Sequence, residues 1–279
     1  MATLTPRDHQ VDTLDVGAIR RGLAGDTIGS HVYVFREVGS TNAVLRDLAD
    51  AGAQEGTVVI SEAQRSGRGR GDHAWFSPPG LNLHVSVLLR PAIALAAAPV
   101  FSFIASLALT EALWALGVPA GVKWPNDVLV AGRKVGGARL DVAGDGGRVR
   151  YVVLGVGVNV NVPRVELEAA LGPLAAGATS LQAAVGRAVD RNALAASFLG
   201  FVEKWLALYR ANGPGVVLDA WRARDVLAGR RVAVEEGTER PFEGRAAGID
   251  EHGFLHVEDA DGVRHTVIAA AVRPLEELR

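Results

Sequence analysis

The stretch SEAQRSGRGRGDHAWFSPPG, Ser61 to Gly80, sets Gly67, Gly69 and Gly71 around Arg68 and Arg70. Bare glycine backbone lets amides approach a ligand, and a guanidinium fork takes a carboxylate or phosphate through two parallel bonds. The spacing points to an anion-binding loop. The RGD triplet inside it carries too little information to build on. A second stretch, KWPNDV, places an amide and a carboxylate side by side at Asn126 and Asp127, two residues past Trp124. Pro-Asn-Asp is equally good turn chemistry. In GRKVGG, Lys134 is a compact cation ahead of two glycines, and a plain hairpin turn fits the same letters. STN, Ser40 to Asn42, reads most simply as a helix cap. GVGVNVN lacks the third glycine and the following helix of a dinucleotide fingerprint, and Asn159 is its odd polar residue. The seven histidines show no metal-ligand spacing. There is no cysteine, which excludes disulfides, thiolate nucleophiles and cysteine metal sites. Together these residues suit electrostatic handling of a phosphate compound, without naming the reaction.

The elements that must hold these residues follow from periodicity. LDVGAIRRGLAG predicts a short amphipathic helix and HVYVF a strand. A helix starting at Ser40 or Thr41 and ending at Gly52 comes next, then a strand TVVIS. The Gly-Arg stretch leads, as a long structureless loop, to LNLHVSVLL, whose alternation predicts a strand with one buried face. VFSFIASLALTEALWALG predicts a long buried helix. VKWPNDVLV, RKVGGARLDVA and RVRYVVLGVGVNVNV predict strands, the last two joined through GDGG. Asp190 caps a helix whose Leu194, Phe198, Val202, Trp205 and Leu206 fall on one face. After Trp221 come short strands with turns at EEGT, DEHG and DADG, the pattern of a small barrel. The expected domains are 1–227 and 228–279.

Net charge is −2 over 279 residues, which argues against a general nucleic-acid binder. The N-terminal MATLTPRDHQVDTLD has no apolar core and is no signal peptide. The longest apolar stretch, Ala92 to Leu116, is broken by Pro99, Ser102, Ser106, Thr110 and Glu111, and reads as a buried helix rather than a membrane span. A cytoplasmic protein is expected.

Taken together, STN, QRSGRGRGDHAW, KWPNDV, GRKVGG and LGVGVNVN resemble, in order and spacing, the motifs of the biotin–protein ligase family. The likeness runs from about Leu14 through DRNALAASFL to the terminal strands. It implies an α+β fold: a mixed-sheet catalytic domain of the biotin/lipoate ligase type with helices packed on it, and a C-terminal SH3-like barrel. It implies that biotin and ATP form biotinyl-5'-adenylate, and that a lysine of a biotin carboxyl carrier domain then takes the biotinyl group. Ser40, Thr41, Asn42 and Gln64 would meet the ureido ring, with Gly67, Arg68, Arg70, Lys134 and Gly137 completing the biotin site. Arg70, Trp75, Lys123, Asn126 and Asn159 would hold the nucleotide. Lys134, Arg70 and Asp127 would be catalytic, with Asp127 holding Mg²⁺ or the attacking amine. Some relatives carry an N-terminal winged helix and bind DNA. Too few residues precede the first strand here for one, so a monofunctional form without specific DNA or membrane binding is expected. The family loop continues with glycine and arginine where this chain has Asp72 and His73, which replaces its second cationic anchor. A lipoate or octanoate ligase of the same fold, and a non-catalytic biotin-responsive regulator, are the competing readings.

Overall fold

In the computed structural model of the chain, residues 12–236, 241–276 and 278 are described. The large domain opens with α1 (Val16–Arg21), β1 (Val32–Phe35), α2 (Thr41–Asp50), β2 (Val58–Ser61), β3 (Leu83–Leu89) and α3 (Val100–Ala115). It continues with β4 (Gly121–Lys123), β5 (Asp127–Val130), β6 (Arg133–Asp145) and β7 (Arg148–Val158). Helices α4 (Arg164–Leu171), α5 (Leu181–Val185), α6 (Arg191–Asn212) and α7 (Gly215–Arg222) follow. The C-terminal part is β8 (Arg231–Glu236), β9 (Phe242–Ile249), β10 (Leu255–Glu258), β11 (Arg264–Val267) and β12 (Ala271–Pro274).

The seven-stranded sheet has the order β1-β2-β3-β7-β6-β5-β4. β1 and β2 are parallel, joined by the α2 crossover, and the other pairs are antiparallel, so the sheet is mixed. The second sheet, β11-β10-β9-β8-β12, is five-stranded and antiparallel, as the run of short strands after Trp221 predicts for a small barrel-like domain. Fold class is therefore α+β, as expected.

Helix α3 lies between the sheet and α6, with its apolar residues buried almost all round. By length and composition alone, Leu95–Ala115 could cross a membrane. Its burial inside the fold accounts for that apolar character equally well, as the sequence pattern anticipates. The Asp190 carboxylate caps α6 by accepting from the amides of Asn192 and Ala193. At the start of that helix Arg191 is fully buried. It donates to Asp12 Oδ1 at 2.7 Å, Glu62 Oε2 at 2.6 Å and the Asn82 carbonyl at 3.2 Å. These bonds tie both ends of the Gly-Arg stretch to the helix layer.

Two local expectations change. The alternation in β3 predicts one buried face, yet all seven residues are buried. Its apolar residues Leu83, Val85 and Val87 join the main core, whereas Leu88 packs with Leu45, Ala49, Val59, Tyr151 and Val153 beneath α2. The polar His84 and Ser86 lie under the site instead of facing solvent. The Gly-Arg stretch is not structureless either. Arg68 pairs with Ala74, Gly69 N donates to the His73 carbonyl at 2.8 Å, and Trp75 N donates to the Gly67 carbonyl at 3.0 Å. These bonds make a small hairpin whose tip, Arg70–Asp72, turns through Gly71 at φ +65°.

Candidate active site

The site lies where the start of α2, the Gly-Arg hairpin, the β4–β5 turn and the start of β6 converge. Ser40 occupies the cap position of α2, but its side chain makes no capping bond. Gln64 Oε1 substitutes for it, accepting from Thr41 N at 2.8 Å and Thr41 Oγ1 at 3.2 Å. Ser40 is thereby left at the mouth of a small polar slot, of about 40 Å³, with Thr41, Asn42, Gln64, Arg68 and Gly155. Ser86 Oγ lies 2.8 Å from Thr41 Oγ1 and 2.6 Å from Asn42 Oδ1. Asn42 Nδ2 donates to Asp141 Oδ2 at 3.2 Å. Each slot amide is therefore held in a defined orientation from below.

Two glycines of β7 make the slot possible. A Cβ at Gly155 would run into the Asn42 amide, and one at Gly157 would come within 2.6 Å of the Trp75 ring. The glycines of GVGVNVN therefore admit two side chains onto the sheet rather than a nucleotide onto a loop. Trp75 packs against that bare backbone, with its Nε1 buried and unpartnered. The Lys134 ammonium stands 5.6 Å from its ring centroid.

Beyond Trp75 the slot meets a chamber of about 590 Å³, walled by the β4–β5 turn, residues 171–178 and the barrel segment 269–273. Lys134, Trp75, Asn126 and Arg70 border both spaces. The Lys134 ammonium is 2.5 Å from Asp127 Oδ1, and the Lys123 ammonium is 3.1 Å from Oδ2. Burial opposes ionisation of Asp127, but the two lysine charges and their hydrogen bonds outweigh it and hold the carboxyl below its usual range. Gly137 sits opposite Asp127 in the sheet, and its bare Cα leaves room for the Lys134–Asp127 pair.

The remaining expected residues fall at or beside this junction. Gly67 is buried against Gln64. Arg70 Nη1 donates to the Ala270 carbonyl at 2.7 Å, which carries the hairpin tip onto the C-terminal domain. Asn126 stitches its turn to β6 through the Ala138 carbonyl at 2.5 Å, and that amide acts in the scaffold. Asn159 borders the chamber, but its amide is engaged with the Thr179 carbonyl at 3.2 Å and with Asn82. It fixes the wall more directly than it presents a donor. His73 also lines the chamber.

The expected Mg²⁺ role of Asp127 does not fit this donor set. Both of its oxygens face lysine ammoniums.

Sequence reading missed Ser86, Arg139 and Asp141. Arg139 Nη1 donates to the Gly69 carbonyl at 2.6 Å, and its Nε lies 3.2 Å from Asp141 Oδ1. The signal was present in GARLDV, where the two polar residues alternate with Ala138, Leu140 and Val142, and in HVS, where Ser86 follows His84 on the same face.

A mixed sheet thus sets a polar slot beside a cation-lined chamber, with a glycine-arginine hairpin over the junction. Residues 34–159 match the Biotin/lipoate A/B protein ligase family, and residues 228–272 match the Biotin protein ligase C terminal domain. The bifunctional ligase/repressor BirA of Bacillus spizizenii is 32% identical over 90% of this chain and 76% of its own length. The biotin--[acetyl-CoA-carboxylase] ligase of Mycobacterium tuberculosis is 34% identical over 96% of this chain and 97% of its own. In fold, the chain is similar to a biotin protein ligase from Aquifex aeolicus solved with biotin and ATP, with TM-score 0.73 and 23% identity over 88% of this chain and 99% of that one. The chain belongs to the biotin protein ligase family.

Proposed function

We propose that the chain attaches biotin to a lysine of a biotin carboxyl carrier domain at the cost of ATP, through biotinyl-5'-adenylate. The Lys134–Asp127 pair at the junction of slot and chamber carries this reading. It places a fixed positive charge where the carboxylate of one ligand would meet the α-phosphate of the other.

The slot suits a ureido ring. Such a ring offers two N–H donors and one carbonyl, and Ser40, Thr41, Asn42 and Gln64 offer hydroxyls and amides that are already oriented. With the ring seated there, the valeryl chain runs beneath Trp75 toward Lys134. The chamber takes the nucleotide. A biotin carboxylate oxygen attacks the α-phosphorus and pyrophosphate leaves; the mixed anhydride remains. Lys134 balances charge that grows on the phosphoryl and carbonyl oxygens, while Asp127 holds it in place. The ε-amine of the carrier lysine then attacks the acyl carbon. AMP departs, the amine sheds its proton, and an amide bond remains. Arg70 and the amides of the hairpin cover the anhydride between the two steps, which excludes water. No covalent bond to the enzyme is needed.

The test is direct. The purified chain is incubated with ATP, Mg²⁺ and a biotin carboxyl carrier domain, with either biotin or lipoate. A mass gain on the carrier with biotin alone supports the reading. A gain with lipoate alone assigns the slot to the other branch of the fold, and binding of biotin without any gain makes the chain a sensor.

A further inference from the structure

We infer that Arg139 is a positioning residue: a clasp that fastens the Gly-Arg hairpin to the same carboxylate that orients Asn42 in the ring slot. The inference deepens the proposed function and rests on it only for the ligand's identity.

The geometry is a relay of four groups. The Gly69 carbonyl, between the two loop arginines, accepts from Arg139 Nη1 at 2.6 Å. Arg139 Nε pairs with Asp141 Oδ1 at 3.2 Å. The other oxygen of that carboxylate accepts from Asn42 Nδ2 at 3.2 Å. In sheet register Arg139 lies opposite Gly155, the glycine whose bare backbone admits Asn42. Arg139 and Asp141 side chains are only 29% and 16% exposed, so the bonds are partly shielded from water.

A guanidinium can hold a carbonyl and a carboxylate at once because its N–H groups diverge in one plane. Lysine has a single nitrogen and would have to share it. With the guanidinium seated by Asp141, the Gly69 carbonyl is drawn toward the sheet, and Arg68 and Arg70 on either side of it are carried over the junction. A ring that stiffens Asn42 also stiffens Asp141, and through it the clasp. Occupancy of the slot therefore favours the closed hairpin, and a closed hairpin favours retention in the slot.

The experiment uses the full chain and Arg139→Leu, Arg139→Lys and Asp141→Asn, with thermal unfolding to verify that each is folded. The first readout is trypsin cleavage after Arg68 or Arg70 in ligand-free protein. Loss of the charge-assisted bond to the Gly69 carbonyl should speed it about tenfold in Arg139→Leu, with the other two variants between Leu and wild type. The second is dissociation of preformed biotinyl-adenylate, which should quicken in the same order. Equal cleavage in all four proteins overturns the clasp, as does faster cleavage with unchanged adenylate dissociation. If Arg139→Leu is poorly folded, Arg139→Lys and Asp141→Asn decide on both readouts. A wild-type chain that makes no biotinyl-adenylate defeats the proposed function, and cleavage alone then decides the clasp.

Discussion

Lys134 and Lys123 grip opposite oxygens of the one carboxylate of Asp127, at 2.5 and 3.1 Å, so a single half-buried anion holds two cations at the meeting point of slot and chamber. The two lysines arrive from different strands, Lys123 closing β4 and Lys134 near the start of β6. Only Lys134 also borders the slot. Under the proposed function it is the lysine that stands between the two ligands.

Lys134→Ala should therefore slow adenylate formation by about a hundredfold, the usual cost of one charge contact made in the transition state. Biotin should still bind, because the slot amides do not depend on the ammonium. Pyrophosphate release and equilibrium biotin binding measured on the same preparation check this. A near wild-type release rate removes Lys134 from the chemistry.

Arg70 matters for retention. Its bond to the Ala270 carbonyl anchors the hairpin tip across the domains. Arg70→Gly should let biotinyl-adenylate escape about tenfold faster, since the bond to the Ala270 carbonyl is lost. The escaped anhydride should label bystander lysines. Streptavidin blotting of a mixed-protein sample reads this, and unchanged background labelling would show that the tip is held by other means.

Gly157→Ala tests the seat of Trp75. The added methyl would lie 2.6 Å from the indole, so the ring must lift. KM for biotin should rise by tenfold or so, as for a core that is overpacked by one methyl. The melting temperature of the variant distinguishes a lifted ring from a damaged sheet. An unchanged KM would mean that Trp75 is not fixed by β7.

Two buried groups should compensate each other in acid. Burial, only partly offset by the Ser61 carbonyl and aided by the Arg191 charge, lowers the His84 pKa from 6.5 to about 4. Burial raises that of Asp225 from 3.8 to about 6, against a bond from the Leu227 amide. The unfolded chain binds the His84 proton more tightly, so this contribution to stability is present above pH 6.5 and is lost as pH falls toward 4. The folded chain binds the Asp225 proton more tightly, so that contribution is present below pH 3.8 and is lost as pH rises through 6. Each amounts to roughly 3 kcal/mol. Asp225→Asn should expose a loss of stability from pH 6.5 to 4, and His84→Gln a gain from pH 6 to 4. Urea unfolding at a series of pH values measures both slopes. Parallel curves for the two variants would overturn the assignment.

What the sequence made legible was chemistry carried by local runs. Gly67–Gly71, Lys134 and Asp127 are conspicuous because glycine and charge interrupt apolar strands at short spacing. The mixed sheet was implied by the family resemblance rather than by the strands themselves, and the capped α6 followed from Asp190. What stayed hidden depends on contacts between distant segments. Gln64 replaces Ser40 as the cap of α2 only because the β1 and β2 ends are neighbours in space. Arg191 could not be paired with Asp12 and Glu62 from spacing, since loop closure over such separations leaves no periodic trace. Arg139 and Asp141 did alternate visibly, but alternation is equally the mark of a strand face turned to water. Even β3, read as half-exposed, was misjudged because a polar site covers its second face.

Trp124 donates its indole N–H to the Gly253 carbonyl at 3.0 Å, so the turn that carries Asp127 leans on the barrel turn between β9 and β10. A Cβ at Gly253 would strike Phe103 of α3, so that barrel turn is wedged between helix and catalytic hairpin. The turn at Asp259–Gly262 is closed in the same way, the Asp259 carboxylate accepting from the amides of Asp261 and Val263 as that of Asp250 accepts from those of His252 and Phe254, but its residues 260–264 lie exposed. The two turns therefore obey different rules under evolutionary drift. Insertions can accumulate in the second at little expense, while a single residue added to the first would displace the tryptophan and, with it, the carboxylate that seats both lysines. The barrel's history of length change should be written on one of its ends and be missing from the other.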